Sequence, residues 1–282
     1  MSRTLIAEAA DQLAAAGVAS PRHDAEALAA HVLRVARGRL ALVEPAAFEA
    51  ARPVYAAAVA RRASREPLQH VVGSAPFRRL ELAVGPGVLI PRPETELLVD
   101  SVLGWLRKTG LIAPRIVDLG TGSGAIALAL ADETPAGEGT GVWAVERDPA
   151  ALVWAARNIK ESGLAVELVD GDMVDALHEL DGTIDVVVSN PPYLSLDLLP
   201  DLEPEVRDHD PAAALFAGAD PLAAIRTVEA SARRLLRPGG FVVVEHGDDQ
   251  AESAPACFAG WNDVSDHLDL ARRPRYLTAV HP

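Results

Sequence analysis

The segment with the most sharply defined chemistry is Asn190-Pro191-Pro192-Tyr193. Proline fixes φ, carries no N–H and holds the residue before it extended. The segment therefore reads as a stiff turn rich in acceptors. The side-chain oxygen of Asn190 and the carbonyl of Pro191 can converge on a planar NH₂ group, and Tyr193 can stack on its plane. An amide or exocyclic amine nitrogen is a poor nucleophile because its lone pair is delocalised. Two acceptors on its hydrogens hold it in place and favour tetrahedral character as a new bond forms. A strong external base is then unnecessary at the start. These roles make Asn190, Pro191 and Tyr193 the candidate catalytic residues, with Pro192 beside them at the substrate.

A second segment, Val117-Asp118-Leu119-Gly120-Thr121-Gly122-Ser123-Gly124, places three alternate glycines between a strand and a helix. Glycine admits positive φ and lets the backbone approach a ligand closely. At the carboxyl end of a parallel sheet this is where a nucleotide-like ligand sits. The spacing is G-x-G-x-G, distinct from the dinucleotide fingerprint, and no G-K-[ST] follows, which excludes a P-loop. Glu146 ends the next strand, where a carboxylate can accept both ribose hydroxyls of a nucleoside. Asp172 and Met173 follow the third strand. Asp172 can accept from an adenine amino group, and Met173 can pack against the ring.

These residues need elements to position them. Beyond residue 110, strands at Ile116–Leu119, Val142–Glu146, Val166–Asp170, Ile184–Ser189, Phe241–Glu245 and Tyr276–Val280 alternate with helices at Ala125–Ala131, Pro149–Ser162 and Leu222–Leu236. Such alternation predicts a mainly parallel sheet covered on both faces. Residues 1–70 read as helices without an intervening strand, the first capped by Ser2 or Thr4. Between them, Pro67, Gly73, Pro76, Gly85, Pro86 and Gly87 punctuate two short apolar runs, Gln69–Val72 and Leu80–Val84, which read as a hairpin-like connector. The expected division is a helical domain at 1–70, a β-hairpin linker at 71–90 and a sheet domain at 91–282.

Composition narrows the function further. The 282 residues are 49% apolar but only 4% aromatic, so a packed core is available while aromatic binding walls are scarce. The single cysteine, Cys257, excludes an intramolecular disulfide framework and a multi-cysteine zinc site. It reads as a packed thiol. The eight histidines have no metal-ligand spacing, His246 beside Glu245 reads as structural, and no G-x-S-x-G elbow exists. No uninterrupted apolar stretch of about 18 residues is present, and Glu8 and Asp11 interrupt the apolar start, against a secretory signal. A cytoplasmic protein is expected. The net charge of −14 is uneven: residues 1–90 hold 11 basic and 8 acidic residues, and residues 91–282 hold 15 and 32. The acidic second part argues against a nucleic-acid substrate.

With these residues in place, the sequence resembles a family. The Asp118–Gly124 turn together with Asn190–Tyr193 is similar to S-adenosylmethionine-dependent amino-methyltransferases. Further matches are Glu66-Pro67-Leu68, Gly73, Val88 through Glu96, Glu203-Pro204-Glu205-Val206, Arg237-Pro238-Gly239-Gly240 and Glu245-x-Gly247-x-x-Gln250. The fuller set resembles the HemK/PrmC family of protein-(glutamine-N5) methyltransferases, which act on class 1 peptide chain release factors. The resemblance implies an α/β, Rossmann-like class I methyltransferase domain behind a small all-helical domain that helps dock the release factor. It implies S-adenosylmethionine bound at Asp118, Gly120, Thr121, Gly122, Ser123, Gly124, Glu146, Asp172, Met173 and Asn190, with no metal. It also implies a substrate glutamine, from a Gly-Gly-Gln loop, held by Asn190, Pro191, Pro192 and Tyr193, with Arg92, Pro93, Glu94 and Thr95 at the pocket wall. The sequence departs from the family at Glu146, where Asp is common, at Met173, where an aromatic is common, at Arg78 and at Asp220-Pro221-Leu222. The alternative expectation is an adenine-N6 nucleic-acid methyltransferase using the same Asn-Pro-Pro-Tyr chemistry on a flipped base.

Overall fold

The computed structural model describes every residue except Met1 and Ala136, with Ser2 and Arg3 described by their backbone alone. The chain forms two units. One comprises residues 1–74 and 201–209, the other residues 75–200 and 210–282.

The first unit is helical: α1 (Ser2–Ala15), α2 (Pro21–Leu33), α3 (Pro45–Ala63) and α4 (Leu68–Val72). Ile6, Ala9 and Leu13 from α1, Ala25, Leu28 and Ala29 from α2, and Phe48, Tyr55 and Val59 from α3 share one core. The i, i+3, i+4 spacing of small and branched apolar residues builds that seam. Thr4 lies inside α1 and does not cap it, and the Ser2 side chain falls outside the described residues. Pro21 and Pro45 open their helices at the first position, where the missing N–H costs nothing. The Gln69–Val72 run expected as a strand is instead part of helix α4, bounded by Pro67 at its N-cap and by Gly73 at φ +80°. Those two residues close a single helical turn, and the short apolar run alone does not distinguish a buried helix from a strand.

Apart from Ser74, which falls in the first unit, the second unit opens with a two-stranded sheet, β1 (Ser74–Phe77) and β2 (Leu80–Ala83), followed by α5 (Glu96–Thr109). The large sheet then assembles from β3 (Arg115–Leu119), β4 (Gly141–Glu146), β5 (Glu167–Asp170), β6 (Ile184–Ser189), β7 (Leu236–Glu245), β8 (Asn262–Leu268) and β9 (Pro274–Val280). Helices α6 (Ala125–Glu133), α7 (Pro149–Ser162), α10 (Ala223–Leu235) and the short α11 (Ser253–Ala256) connect them. Two single turns, α8 (Pro204–Arg207) and α9 (Ala212–Leu215), follow β6; α8 belongs to the helical unit.

Strand order is β5-β4-β3-β6-β7-β9-β8. The first five pair in parallel, and β9 and β8 close the edge antiparallel. One core layer gathers Leu98, Val102 and Leu106 of α5 with Ile126 and Leu130 of α6 against Ile116, Val186 and Val243. The opposite layer packs Ile225, Val228 and Leu235 of α10 against Val117, Val187 and Val242. Both faces are buried, so the strands are nearly continuous in Val and Ile. The mainly parallel, doubly covered α/β sheet expected from the alternation is the observed architecture.

The register places the functional strand ends together. Leu119 lies opposite both Val145 and Ser189, and Ser189 opposite Val244. The chain order reverses between β3 and β6. This is the topological switch point, where the connections on the two sides diverge and leave a crevice at the carboxyl ends.

Candidate active site

A cavity of about 580 Å³ opens at this crevice, within the size range of small-molecule sites. Its wall includes Gly120 and Gly122 after β3, Glu146, Arg147 and Asp148 after β4, and Asp172 and Met173 after β5. Asn190, Pro191 and Pro192 after β6 complete the strand-end set. Eight of the residues expected from sequence to bind one nucleoside-like ligand and its reaction partner thus meet at a single cavity: Gly120, Gly122, Glu146, Asp172, Met173, Asn190, Pro191 and Pro192.

The glycine turn is built for close approach. Gly120, Gly122 and Gly124 all have positive φ, at +73°, +58° and +84°. The N–H groups of Gly120 and Thr121 both donate to the Val145 carbonyl, at 2.9 Å each, which pins the turn across the end of β4. Asp118 lies beneath it and does not border the cavity. Its Oδ2 accepts from the Thr121 hydroxyl (2.6 Å) and the Ala127 N–H (3.2 Å). Burial raises the Asp118 carboxyl to about 7 despite these two hydrogen bonds. Thr121, Ser123 and Gly124 are likewise off the wall. The Ser123 carbonyl accepts from Asn158 of α7 (2.9 Å), whose amide also exchanges hydrogen bonds with the Ala83 backbone. Asn158 thus ties the turn, α7 and the small sheet together, a role that its place in a helix does not advertise.

Glu146 is held from three sides. Its Oε1 accepts from the N–H groups of Arg147 and Asp148 (2.9 Å each), and its Oε2 accepts from Gly122 N–H (2.8 Å). A carboxylate has about four lone-pair directions, so it retains capacity for a diol at the cavity wall. Asp172 accepts from Val174 N–H (3.1 Å) and from Arg147 (2.7 Å), which hold its carboxyl below the usual range. The Met173 methyl is 3.6 Å from where a Cβ on Gly120 would stand, so it lies over the glycine turn. Ser231 donates to the Met173 carbonyl (2.8 Å) and fixes that loop from α10.

The Asn190 corner is anchored from behind. Asn190 Nδ2 donates to the Thr95 hydroxyl (3.1 Å), and Thr95 donates to Glu245 Oε2 (2.7 Å). The Tyr193 hydroxyl donates to Glu245 Oε1 (3.2 Å), and the Tyr193 carbonyl accepts from Gln250 (3.3 Å). Burial raises the Tyr193 phenol, and the Glu245 carboxylate adds to the effect. Tyr193 therefore braces the corner and is not on the cavity wall. Nor are Arg92, Pro93 and Glu94. Arg92 pairs with Asp210, while Pro93 and Glu94 form the 3-10 turn Pro93–Thr95 that presents Thr95. His246 bonds to Asp266 (2.9 Å) and lies fully buried, as its structural reading requires.

Sequence reasoning had no role for several wall residues. Gly87 and Leu89 line the cavity from the connector, and Phe216 and Ala217 line it from the segment after α9. The connector is seated by tight contacts: a Cβ on Gly85 would stand 2.7 Å from the Trp154 ring, and one on Gly87 2.9 Å from Ala150. The glycine spacing of that connector was the available signal. No group of three or more His, Cys, Asp or Glu suited to a metal exists among the described residues, and no described helix is long and apolar enough to cross a membrane.

Comparisons with known proteins bear on the family and the fold. The model described as the PrmC N-terminal domain matches residues 4–73, and that of the methyltransferase small domain matches residues 95–197. A release factor glutamine methyltransferase of Streptomyces coelicolor is 52% identical, covering 97% of this chain and 96% of its own. Another, of Mycolicibacterium smegmatis, is 50% identical over 99% and 97%. A 4-amino-L-phenylalanine/4-methylamino-L-phenylalanine methyltransferase of Streptomyces pristinaespiralis is 41% identical over 92% and 88%. The Thermus thermophilus 16S rRNA N2 G1207 methyltransferase, solved with AdoMet and guanosine, aligns with a TM-score of 0.54 at 21% identity, covering 74% of this chain and 50% of that one. That likeness speaks for the fold. Similarity that runs from the helical unit through the sheet, at half the residues identical, makes this chain a member of the release factor glutamine methyltransferase family.

Proposed function

We propose that the protein transfers a methyl group from S-adenosylmethionine to the side-chain amide nitrogen of the glutamine in the Gly-Gly-Gln loop of class 1 peptide chain release factors. The observation that carries this reading is that Glu146 and the Asn190-Pro191 corner border the same cavity. The first suits a ribose and the second a carboxamide.

The residues fit the cofactor. Gly120 and Gly122 keep the wall free of side chains where a ligand must approach the backbone. Glu146 accepts from the ribose hydroxyls, and Asp172 and Met173 stand where the adenine would lie. When bound, S-adenosylmethionine supplies a methyl carbon activated by sulfonium, and its loss leaves a neutral sulfur.

The chain's own residues then position the nucleophile. Asn190 Oδ1 and the Pro191 carbonyl accept from the two amide hydrogens of the glutamine, which fixes the nitrogen and favours the tetrahedral form. Holding two reactants in place in this way can contribute up to about 7–11 kcal/mol. The nitrogen gives up its proton to water after the bond forms. Asp118, Thr121, Ser123 and Gly124 support the turn from beneath, and Tyr193 supports the corner. Arg92, Pro93 and Glu94 act through the turn that carries Thr95. The helical unit serves as the docking part for the release factor, and the protein works in the cytoplasm.

Radiolabelled methyl transfer tests the substrate class directly. A purified class 1 release factor should take label, while double-stranded DNA and 4-amino-L-phenylalanine should not. Preferential labelling of DNA would favour the adenine-N6 alternative, and labelling of the free amine would favour a small-molecule enzyme.

A further inference from the structure

Resting on that reading, we infer that Thr95 and Glu245 are positioning residues that decide which end of the Asn190 carboxamide faces the substrate. An asparagine side chain is nearly symmetric in shape but opposite in chemistry at its two ends. Only the oxygen can accept from the hydrogens of an incoming amide. If the amide turned around, two NH₂ groups would meet and the corner would repel its substrate.

The hydrogen-bond chain behind Asn190 settles the direction. Ionised Glu245 is acceptor-only, and Thr95 has a single hydroxyl hydrogen. That hydrogen is committed to Glu245 Oε2 at 2.7 Å. Toward Asn190 the Thr95 oxygen can then only accept, so the NH₂ end of Asn190 takes that side at 3.1 Å. Oδ1 is left for the cavity. The second Glu245 oxygen is held by the Tyr193 hydroxyl at 3.2 Å, which prevents the carboxylate from rotating away. Glu245 and Thr95 are 2% and 5% exposed, so water does not compete for these bonds.

The groups that act on Glu245 come from several elements. Thr95 and Glu94 come from the turn before α5, Tyr193 from the corner after β6 and Arg275 from β9. His246, next in the chain, is bonded to Asp266 of β8 and to the Gly247 carbonyl. Burial is the largest influence and raises the Glu245 carboxyl to about 7, against the Thr95 and Tyr193 hydrogen bonds and the Arg275 charge. Below that pH the carboxyl can itself donate to Thr95. The hydroxyl hydrogen is then released to Asn190 Oδ1, and the amide reverses. The active orientation therefore belongs to the ionised form, and transfer should rise as pH passes upward through about 7.

The test compares wild type with Glu245→Gln, Thr95→Val and Thr95→Ser. It measures kcat and KM for a purified class 1 release factor across the neutral range, and S-adenosylmethionine affinity by calorimetry. Glu245→Gln and Thr95→Val should lower kcat by about 10- to 100-fold, the size of effect seen when a metal ligand loses its outer hydrogen-bond partner. Both should lose the rise near neutrality while binding cofactor like wild type. Thr95→Ser keeps the hydroxyl and should retain both the rate and the pH limb. If Glu245→Gln fails to fold, the Val and Ser variants of Thr95 decide alone. Wild-type kcat and an unchanged pH limb in Thr95→Val would overturn the inference. A wild-type enzyme inactive on the release factor would instead overturn the functional reading beneath it.

Discussion

Glu146 and Asn190 do different work at the scale of single residues. Glu146, proposed above to accept from the ribose, has its orientation enforced by three backbone N–H groups. Glu146→Ala removes the acceptor and leaves those donors facing the cavity. Hydrogen bonds to charged groups contribute about 1.5–3 kcal/mol each. For the two ribose hydroxyls together, cofactor affinity should therefore fall by about 100-fold or more, as read by calorimetry, with kcat at saturating cofactor far less affected. Both residues were legible in the sequence because each ends a strand in a recognisable run. The chain of bonds behind Asn190 was not, because Thr95 and Glu245 are 150 positions apart. Only the folded sheet brings β7 beside the turn before α5. Asp118 shows the opposite limit: its motif was visible, but strand alternation turns its side chain beneath the glycine turn rather than into the cavity.

The elements were read best where burial imposed a period. Strand β6 and helix α7 occupy the residues their patterns predicted, because β6 is buried along its whole length and α7 begins at Pro149 with Asp148 as its cap. Strand β8 went unread because its sequence, Asn262–Leu268, is mostly polar and exposed. It is an edge strand joined only to β9, and polar edges resist further pairing. Helix α4 resembles a strand in the sequence because its five residues are too few to carry a period. In the helical unit, the element-scale dependence falls on Arg62. It bonds Asp24 of α2 at 2.8 Å and Glu205 of α8 at 2.7 Å, and its own side chain is buried. Burial alone would raise the Glu205 carboxyl, but hydrogen bonds from Arg65 and Arg62 outweigh it and hold the pKa at about 2. A depressed carboxyl stabilises the fold above its ordinary 4.5, and that contribution fades as pH falls through about 2. Arg62→Ala should destabilise the helical unit by about 3–5 kcal/mol near neutral pH, because buried Asp24 loses its guanidinium partner, whereas Glu205 keeps Arg65. Chemical denaturation of the full chain, followed at neutral and at acidic pH, should show a deficit that shrinks on acidification.

For the molecule as a whole, the acidic excess lies where the sheet is. Residues 91–282 carry 32 acidic against 15 basic residues, while residues 1–90 have a small basic surplus. A catalytic part with that charge repels a polyphosphate backbone, in keeping with a protein substrate. The chain also places residues 201–209, shortly after the Asn190 corner, in the helical unit, so the part assigned to docking includes a segment close in sequence to the part assigned to chemistry. These scales meet in the proposed arrangement, a stiff corner that offers two oxygens to a carboxamide beside a cavity suited to a nucleoside. Peptide mass spectrometry of a class 1 release factor, after incubation with S-adenosylmethionine and either wild type or Asn190→Ala, addresses it most directly. Wild type should add the mass of one methylene to the glutamine of the Gly-Gly-Gln loop, and Asn190→Ala almost none, although that variant still binds cofactor. Equal modification by the two proteins, or modification at another residue, would contradict it.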